Sequence, residues 1–339
     1  MTKVLKTILL AHGSGGSHSR RLVEELFASA FANPLLAPLN DQAVFSPPSG
    51  RLAFTTDSYV VKPIFFPGGD IGKLAVCGTI NDLAVGGAEP LYLSASFIIE
   101  EGLPMDELER VVASMARTAL DAGVMIVTGD TKVVERGKGD KLFINTAGIG
   151  KVGGSLDLAP SKIRAGDVVI VSGTMGDHGI AILTHREGIR METPVESDCA
   201  PLHTLVRAVL DAAPSGVRAM RDPTRGGLAT VLNEFAASSG LAISVREDDI
   251  PVKDAVRGAC EILGFDPLYL ANEGKLIAVV SKESAEAVLE AMRSHPYGRD
   301  AAVTGVVEEA PKGKVLIETS IGNRRILDML SGEQLPRIC

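Results

Sequence analysis

The sequence predicts a two-domain protein of mixed helix and strand, α+β or α/β. Three observations carry this prediction. The 339 residues exceed what one ordinary core organises. Short runs rich in β formers alternate with longer stretches of helical period. A stretch rich in Gly, Ser and Pro at 150–164 has no sustained period and divides the chain in two. The expected units are residues 1–155, residues 156–330 and a mobile tail, 331–339.

In chain order, residues 17–32 form an amphipathic pattern behind a glycine loop, and 51–61 form a run of β formers. Residues 69–85 are helical in pattern. Residues 105–122 form the clearest helix, with Pro104 suited to its first turn and Gly123 supplying the stop. Strands are expected at 124–128 and 142–149. The second half restarts with the apolar run 167–173. It then repeats the style, with helices at 179–187, 200–213, 226–238, 253–263 and 284–294, and strands at 241–245, 275–280, 301–307 and 315–319. Strands and helices do not alternate strictly, so a doubly wound parallel sheet and an α+β arrangement both remain open.

Composition excludes several classes of function. Hydrophobic residues make up 45% and charged residues 22%, the balance of a soluble globular protein. The net charge is −8 with no long basic run, which leaves a nucleic-acid backbone little to hold. No apolar stretch has the length of a membrane span, and the patch at 7–11 is too short for a secretory signal, so a cytoplasmic protein is expected. Cys77, Cys199, Cys260 and Cys339 are scattered, without the close pairs of a zinc or redox motif.

HGSGG at 12–16, with Gly13, Gly15 and Gly16, follows a strand-like run and precedes a helix, a geometry in which backbone N–H groups receive an anion. A plain turn explains it equally well. It is neither a Rossmann fingerprint nor a P-loop. Aspartates stand in several segments of small residues: Asp41, Asp57 at a strand end, Asp82 after Asn81, Asp130 before Thr131 and Lys132, and Asp222 before a helix. Each alone is a cap or turn residue. Together, carboxylates from separate loops suit magnesium, which takes carboxylate oxygens along with phosphates and water. The sequence closes on Cys339, a thiol on a segment without helix or strand pattern, which is either a frayed end or a swinging arm.

In order along the chain, HGSGG, TTDS at 55–58, PGGDIGKLAVCGTINDLAVGGAEP at 67–90, TGDTKVVE at 128–135, DPTRGGLA at 222–229, NEGKL at 272–276 and a closing PRIC resemble the hydrogenase maturation factors of the HypE family. That family is similar to aminoimidazole ribonucleotide synthetase, selenophosphate synthetase and thiamine monophosphate kinase. The resemblance implies a PurM-like fold: an N-terminal mixed-sheet domain that pairs in a homodimer, and a C-terminal α/β domain, with ATP and Mg2+ near their junction. It implies that HypF carbamoylates Cys339, that ATP-dependent dehydration converts the group to thiocyanate, and that cyanide passes to iron on a HypC–HypD scaffold for [NiFe]-hydrogenase.

Under that implication Asp57, Asp82, Asp130 and Asp222 hold magnesium and phosphate with Asp41 beside them, and Gly13, Gly15, Gly16, Asn81 and Thr131 contribute to the nucleotide site. Lys132 is the cation at the transferring phosphoryl or the carbamoyl oxygen, or else a solvated loop lysine. Glu273 is the base. Arg337 pairs with a phosphate or an acidic groove, or faces solvent. The alternative reading is phosphoryl transfer to a small molecule, of the selenophosphate synthetase or thiamine monophosphate kinase type, which has no need of Cys339.

Overall fold

The computed structural model describes residues 6–14, 16–40, 42–46, 49–154, 156–330 and 337–338. Asp41, Gly15 and Cys339 lie outside these. The glycine segment closes as a 3-10 turn (Leu10–Gly13) ahead of α1 (Ser17–Leu22), which continues through a π turn (Val23–Phe27) into α2 (Ala28–Ala30). The rest of the first half is β1 (Arg51–Tyr59), the short pair β2 (Phe65–Phe66) and β3 (Gly69–Asp70), α3 (Ile71–Val85), β4 (Ala88–Glu100), α4 (Met105–Asp121), β5 (Met125–Val134) and β6 (Leu142–Val152).

Four of these strands form a sheet in the order β1-β6-β4-β5, parallel only between β4 and β5. β1 and β5 are therefore its two edges, about 14 Å apart over three interstrand spacings. β4 is the strand that sequence patterning does not reveal. Pro90 sits at its start beside a register shift, and Ser94, Ala95 and Ser96 dilute its β formers. β5 also differs from expectation, running on to Val134. Thr128 through Lys132 pair with Ser94 through Ile98, so Asp130 lies inside an edge strand and not in the loop after one.

α3 begins on Asp70, whose carboxylate accepts the N–H groups of Gly72 and Lys73 at 2.7 and 3.2 Å. Thirteen of its 15 residues are buried, so it has no polar face. The cause is its position. One side covers β1, β4 and β6, another meets α4, and Ala84 and Val85 at its end join a core of the second half with Leu202 and Leu205. Full burial of side chains such as Ile71, Leu74 and Ile80 stabilises the fold by roughly 1.5–3 kcal/mol each.

The second half contains β7 (Val168–Val171), α5 (Asp177–Arg186), α6 (His203–Ala212), β8 (Val217–Arg221), α7 (Gly227–Ser239), β9 (Ala242–Arg246), α8 (Asp254–Leu263), β10 (Ile277–Val280), α9 (Ala285–Arg293), β11 (Ala302–Glu308), β12 (Val315–Glu318) and β13 (Arg324–Ile326). The sheet order is β13-β12-β9-β11-β7-β10-β8, with only β9 and β12 parallel. A doubly wound parallel sheet is thereby ruled out, and the arrangement is α+β. α7 packs Leu228, Leu232 and Phe235 on one face, against Ile243, Val245 and Val279. α6 and α9 pack Leu205, Val209, Val288 and Met292 on the other, against Ile170 and Val280. Among the described residues no helix is long and apolar enough to cross a membrane.

Candidate active site

Four carboxylates from four elements border the cleft between the halves. Asp57 is carried on β1, Asp82 on the last turns of α3, Asp222 on the loop leaving β8, and Glu273 on the loop entering β10. Asp82 thus lies in the helix expected over 69–85 and not on a separate loop. Two adjoining cavities, of about 620 and 540 Å3, share Asp82, Asp222, Thr224 and Arg225 as their common wall. The first is otherwise lined by residues such as Leu83, Leu158 and Phe235. The second holds Asp57, Tyr59, Glu273 and Ile338.

Charge is crowded at that wall. Burial pushes the Asp222 carboxyl up to about 7, and the nearby Asp82 and Asp57 add to the shift. Burial raises Asp82 as well, against the hydrogen bond it accepts from Thr55 Oγ1 at 2.9 Å. Glu273, 2% exposed, is held well above the usual carboxylate range by burial, by Cys199 and by Asp222. Its Oε1 is buried without a hydrogen-bond partner. A cluster of this kind stabilises a bound cation or donates and accepts protons.

The loop bearing Glu273 is tied down on every side. Asn272 Oδ1 accepts the Gly176 N–H at 2.7 Å, and its amide donates to the carbonyls of Pro223 and Leu270 at 3.1 and 3.0 Å, which joins the Glu273 loop to the Asp222 loop. The Glu273 N–H donates to Asp198 Oδ1 at 3.0 Å, and its carbonyl accepts from Asn81 Nδ2 at 3.3 Å. Asn81 also donates to Ala200 O and accepts the Leu202 N–H. The Asn81 side chain thus ties α3 to the Glu273 loop and to the segment at 200–202. On the facing wall, Gly78 in α3 leaves room for Tyr59, since a Cβ there would lie 2.3 Å from the phenol oxygen.

Arg337 and Ile338 line the same cavity. Arg337 forms an ion pair with Asp140, which Lys62 also meets at 3.2 Å. An acidic partner, and not solvent, thus receives the Arg337 side chain. Its carbonyl accepts from Lys62 N at 3.2 Å and from Arg186 at 2.7 Å. Ile338, the residue before Cys339, is buried, and its carbonyl meets His178 Nε2 at 2.9 Å.

Two family models match the chain: AIR synthase related protein, N-terminal domain, over residues 39–152, and its C-terminal domain over 164–318. Carbamoyl dehydratase HypE of Bradyrhizobium diazoefficiens is 56% identical over 330 residues, spanning 97% of this chain and 95% of that protein. The chain belongs to the HypE family. A crystal structure of hydrogenase maturation protein HypE in complex with ATP is similar at a TM-score of 0.95 and 52% identity, covering 98% of this chain and 100% of that one. A HypE–HypF complex structure is similar at 0.80 and 48% identity, covering 91% and 99%.

In this HypE-family chain the remaining candidates among the described residues lie apart from the cleft. Asp130 and Lys132 form an exposed ion pair of 3.0 Å on β5, beside Thr131, at the sheet edge opposite Asp57. One chain therefore does not bring Asp130, Thr131 and Lys132 to Asp57. Gly13 packs against Val133 of β5, and Gly16 precedes α1, both on that far edge. Sequence reasoning missed His178, Ser197 and Asp198. Ser197 and Asp198 sit in the unpatterned stretch 188–199 and His178 in the first turn of α5, and no motif or spacing marks them.

Proposed function

We propose that this chain is an ATP-dependent carbamoyl dehydratase that acts on an S-carbamoyl group carried by its own Cys339 and forms the thiocyanate that supplies cyanide to the iron of [NiFe]-hydrogenase. The observation that carries this reading is one cavity lined by both Ile338, next to Cys339 in the chain, and Glu273, whose buried Oε1 lacks a partner. The names of the similar HypE proteins support the activity, and the similar ATP-bound structure supports the nucleotide.

The chemistry requires removing an oxygen that is a poor leaving group as hydroxide. The amide oxygen attacks the γ-phosphorus of ATP, the bond to ADP breaks, and an imidate phosphate forms. One N–H proton leaves as the imidate forms, and the other is lost as the C–O bond breaks and phosphate departs with the former amide oxygen, leaving S–C≡N. In net terms, carbamoyl-cysteine and ATP give cyano-cysteine, ADP, hydrogen phosphate and a proton. Glu273, within the tail cavity, is the acceptor for an N–H proton, and its raised pKa makes its ionised form a stronger base than an ordinary glutamate. Thr224 and Arg225 line the shared wall as donors to phosphate.

Asp57, Asp82 and Asp222 would hold Mg2+. Among the described residues no group of three or more His, Cys, Asp or Glu side chains is placed to hold an ion by itself, so these carboxylates would need phosphate and water oxygens beside them, a ligand set that suits magnesium. Bound there, the ion neutralises charge on the transferring phosphoryl group.

A homodimer completes the site. The sheet face turned away from α3 exposes Leu52, Phe54 and Ile98, and pairing it with a second copy covers this apolar surface and carries Asp130 and Lys132 toward the partner's cleft. HypF is the carbamoyl donor, consistent with the HypE–HypF complex, and the HypC–HypD scaffold receives the cyanide. The test is intact mass spectrometry of the tail peptide after the carbamoyl donor and then ATP: one carbamoyl gained, then one water lost. A carbamoyl adduct that persists through ATP hydrolysis overturns the reading.

A further inference from the structure

We infer that residues 197–199 are a register strap fixing the tail and the general base relative to each other, with His178 as the positioning residue for the last peptide before Cys339. This rests on the dehydratase reading above.

The strap serves both groups from consecutive residues. The Ser197 N–H is anchored on Pro67 O at 2.8 Å, and Ser197 Oγ accepts the Cys199 N–H at 3.1 Å and meets His178 Nδ1 at 2.7 Å. His178 is fully buried, and burial lowers its pKa so that the ring is neutral. Its tautomer follows from its partners: the Ile338 carbonyl only accepts, so Nε2 carries the hydrogen and Nδ1 accepts from the Ser197 hydroxyl. The Phe66 ring stands edge-on to the imidazole, with centroids 5.6 Å apart, and limits its rotation.

The next residue holds the base. Asp198 Oδ1 accepts the Glu273 N–H at 3.0 Å, while Oδ2 pairs with Lys275 Nζ at 3.0 Å, both side chains being buried. Strap and base loop approach so closely that a Cβ on Gly274 would lie 1.8 Å from Asp198 O, a contact only glycine permits. The Ile338 carbonyl therefore connects to the Glu273 backbone through His178, Ser197 and Asp198. Arg337, just before, is held in the left-handed region at φ 58, a conformation that costs energy for a non-glycine residue and that persists only under such contacts. The tail is latched at Arg337, and His178 then sets the position of the peptide that follows. Proton transfer from the carbamoyl nitrogen needs that position held closely, since reactivity falls steeply with misplacement.

The test compares wild type, His178→Leu, His178→Gln and Ser197→Ala, each carbamoylated. It measures cyano-cysteine formation at saturating ATP, ATP affinity, and tryptic cleavage after Arg337. For His178→Leu the rate is expected to fall about 10- to 100-fold. ATP affinity should stay at the wild-type value, and cleavage should quicken about fivefold for one lost hydrogen bond. His178→Gln, which returns a donor near the Nε2 position, should recover most of the rate. Ser197→Ala removes a single hydroxyl and carries the same expectation if the leucine variant does not fold. Wild-type rate and cleavage in both variants overturns the inference, as does a loss of ATP affinity in step with the rate, which marks a general structural role. Failure of the wild type to form cyano-cysteine instead overturns the dehydratase reading.

Discussion

Asp198 and Glu273 are joined through a carboxylate and a backbone amide: Asp198 Oδ1 accepts the Glu273 N–H at 3.0 Å while Oδ2 neutralises Lys275. Burial works against the Asp198 charge, yet the Lys275 ammonium and the hydrogen bond from the Glu273 N–H hold its pKa below the usual carboxylate value. Asp198→Asn leaves Lys275 a buried, unpaired cation. Chemical denaturation at pH 7 should show a loss of roughly 3–5 kcal/mol. Because the folded pKa is depressed, the stabilisation from Asp198 is complete above about pH 4 and fades below it, as protonation overtakes the pair. The variant's stability should accordingly flatten on the acid limb where wild type declines, and equal acid limbs would refute the assignment.

Glu273→Gln keeps the volume of the side chain and its backbone ties but cannot take a proton. Dehydration of the carbamoylated tail should slow by about 10²–10⁴-fold, the usual contribution of a positioned base. ATP binding, followed by calorimetry, should be preserved. Retained dehydration in this variant would remove Glu273 from the mechanism.

Asp222, at about 7 in the folded protein against 3.8 for the ordinary group, binds its proton more tightly when folded. Its contribution to stability is therefore present below about pH 4 and is lost as pH rises through 7. In metal-free buffer Asp222→Asn should raise the melting temperature at pH 8 more than at pH 5. Mg2+ with ATP should stabilise wild type more at pH 8 than at pH 5 and should stabilise the asparagine variant less. A pH-independent effect of the substitution would show that the carboxylate crowding has no energetic weight.

Lys132 and Glu273 offer a test of the shared site. If Lys132 acts across a dimer, co-expressing Lys132→Ala with Glu273→Gln produces mixed dimers holding one intact site, and dehydration should return to about a quarter of wild type. Each variant alone should be inactive. No recovery in mixtures that demonstrably contain heterodimers would place Lys132 and its target in one chain.

Much of the local structure was legible because it is written in local signals. The period of 105–122 with Pro104 and Gly123 marks α4 to within one residue at its end. β4 was hidden by Pro90 and its serines, and β8 and β13 by their arginines, since VRAMR and RRI hold few of the β formers that mark equally short strands such as β10 and β12. The candidate site was partly legible: Asp57, Asp82 and Asp222 stand in segments of small residues, Glu273 is marked only by the family resemblance, and the structure gathers all four at one cleft. Asp130 and Lys132 carried the same local signal yet lie on the opposite sheet edge, because strand order is decided by long-range pairing that no single segment records.

The sequence by itself determined the family, the α and β character of the segments, and the side chains able to bind phosphate, hold a cation and take a proton, because these depend on residue type and near neighbours. Only the tertiary structure decided the mostly antiparallel second sheet, the separation of β1 from β5, the use of Asn81 as a support, and the bonds joining Ile338 to His178 and Glu273 to Asp198. Those contacts span 160 and 75 residues of chain, and what selects them is the burial of apolar surface over the whole molecule and the pairing of every polar group that burial strands.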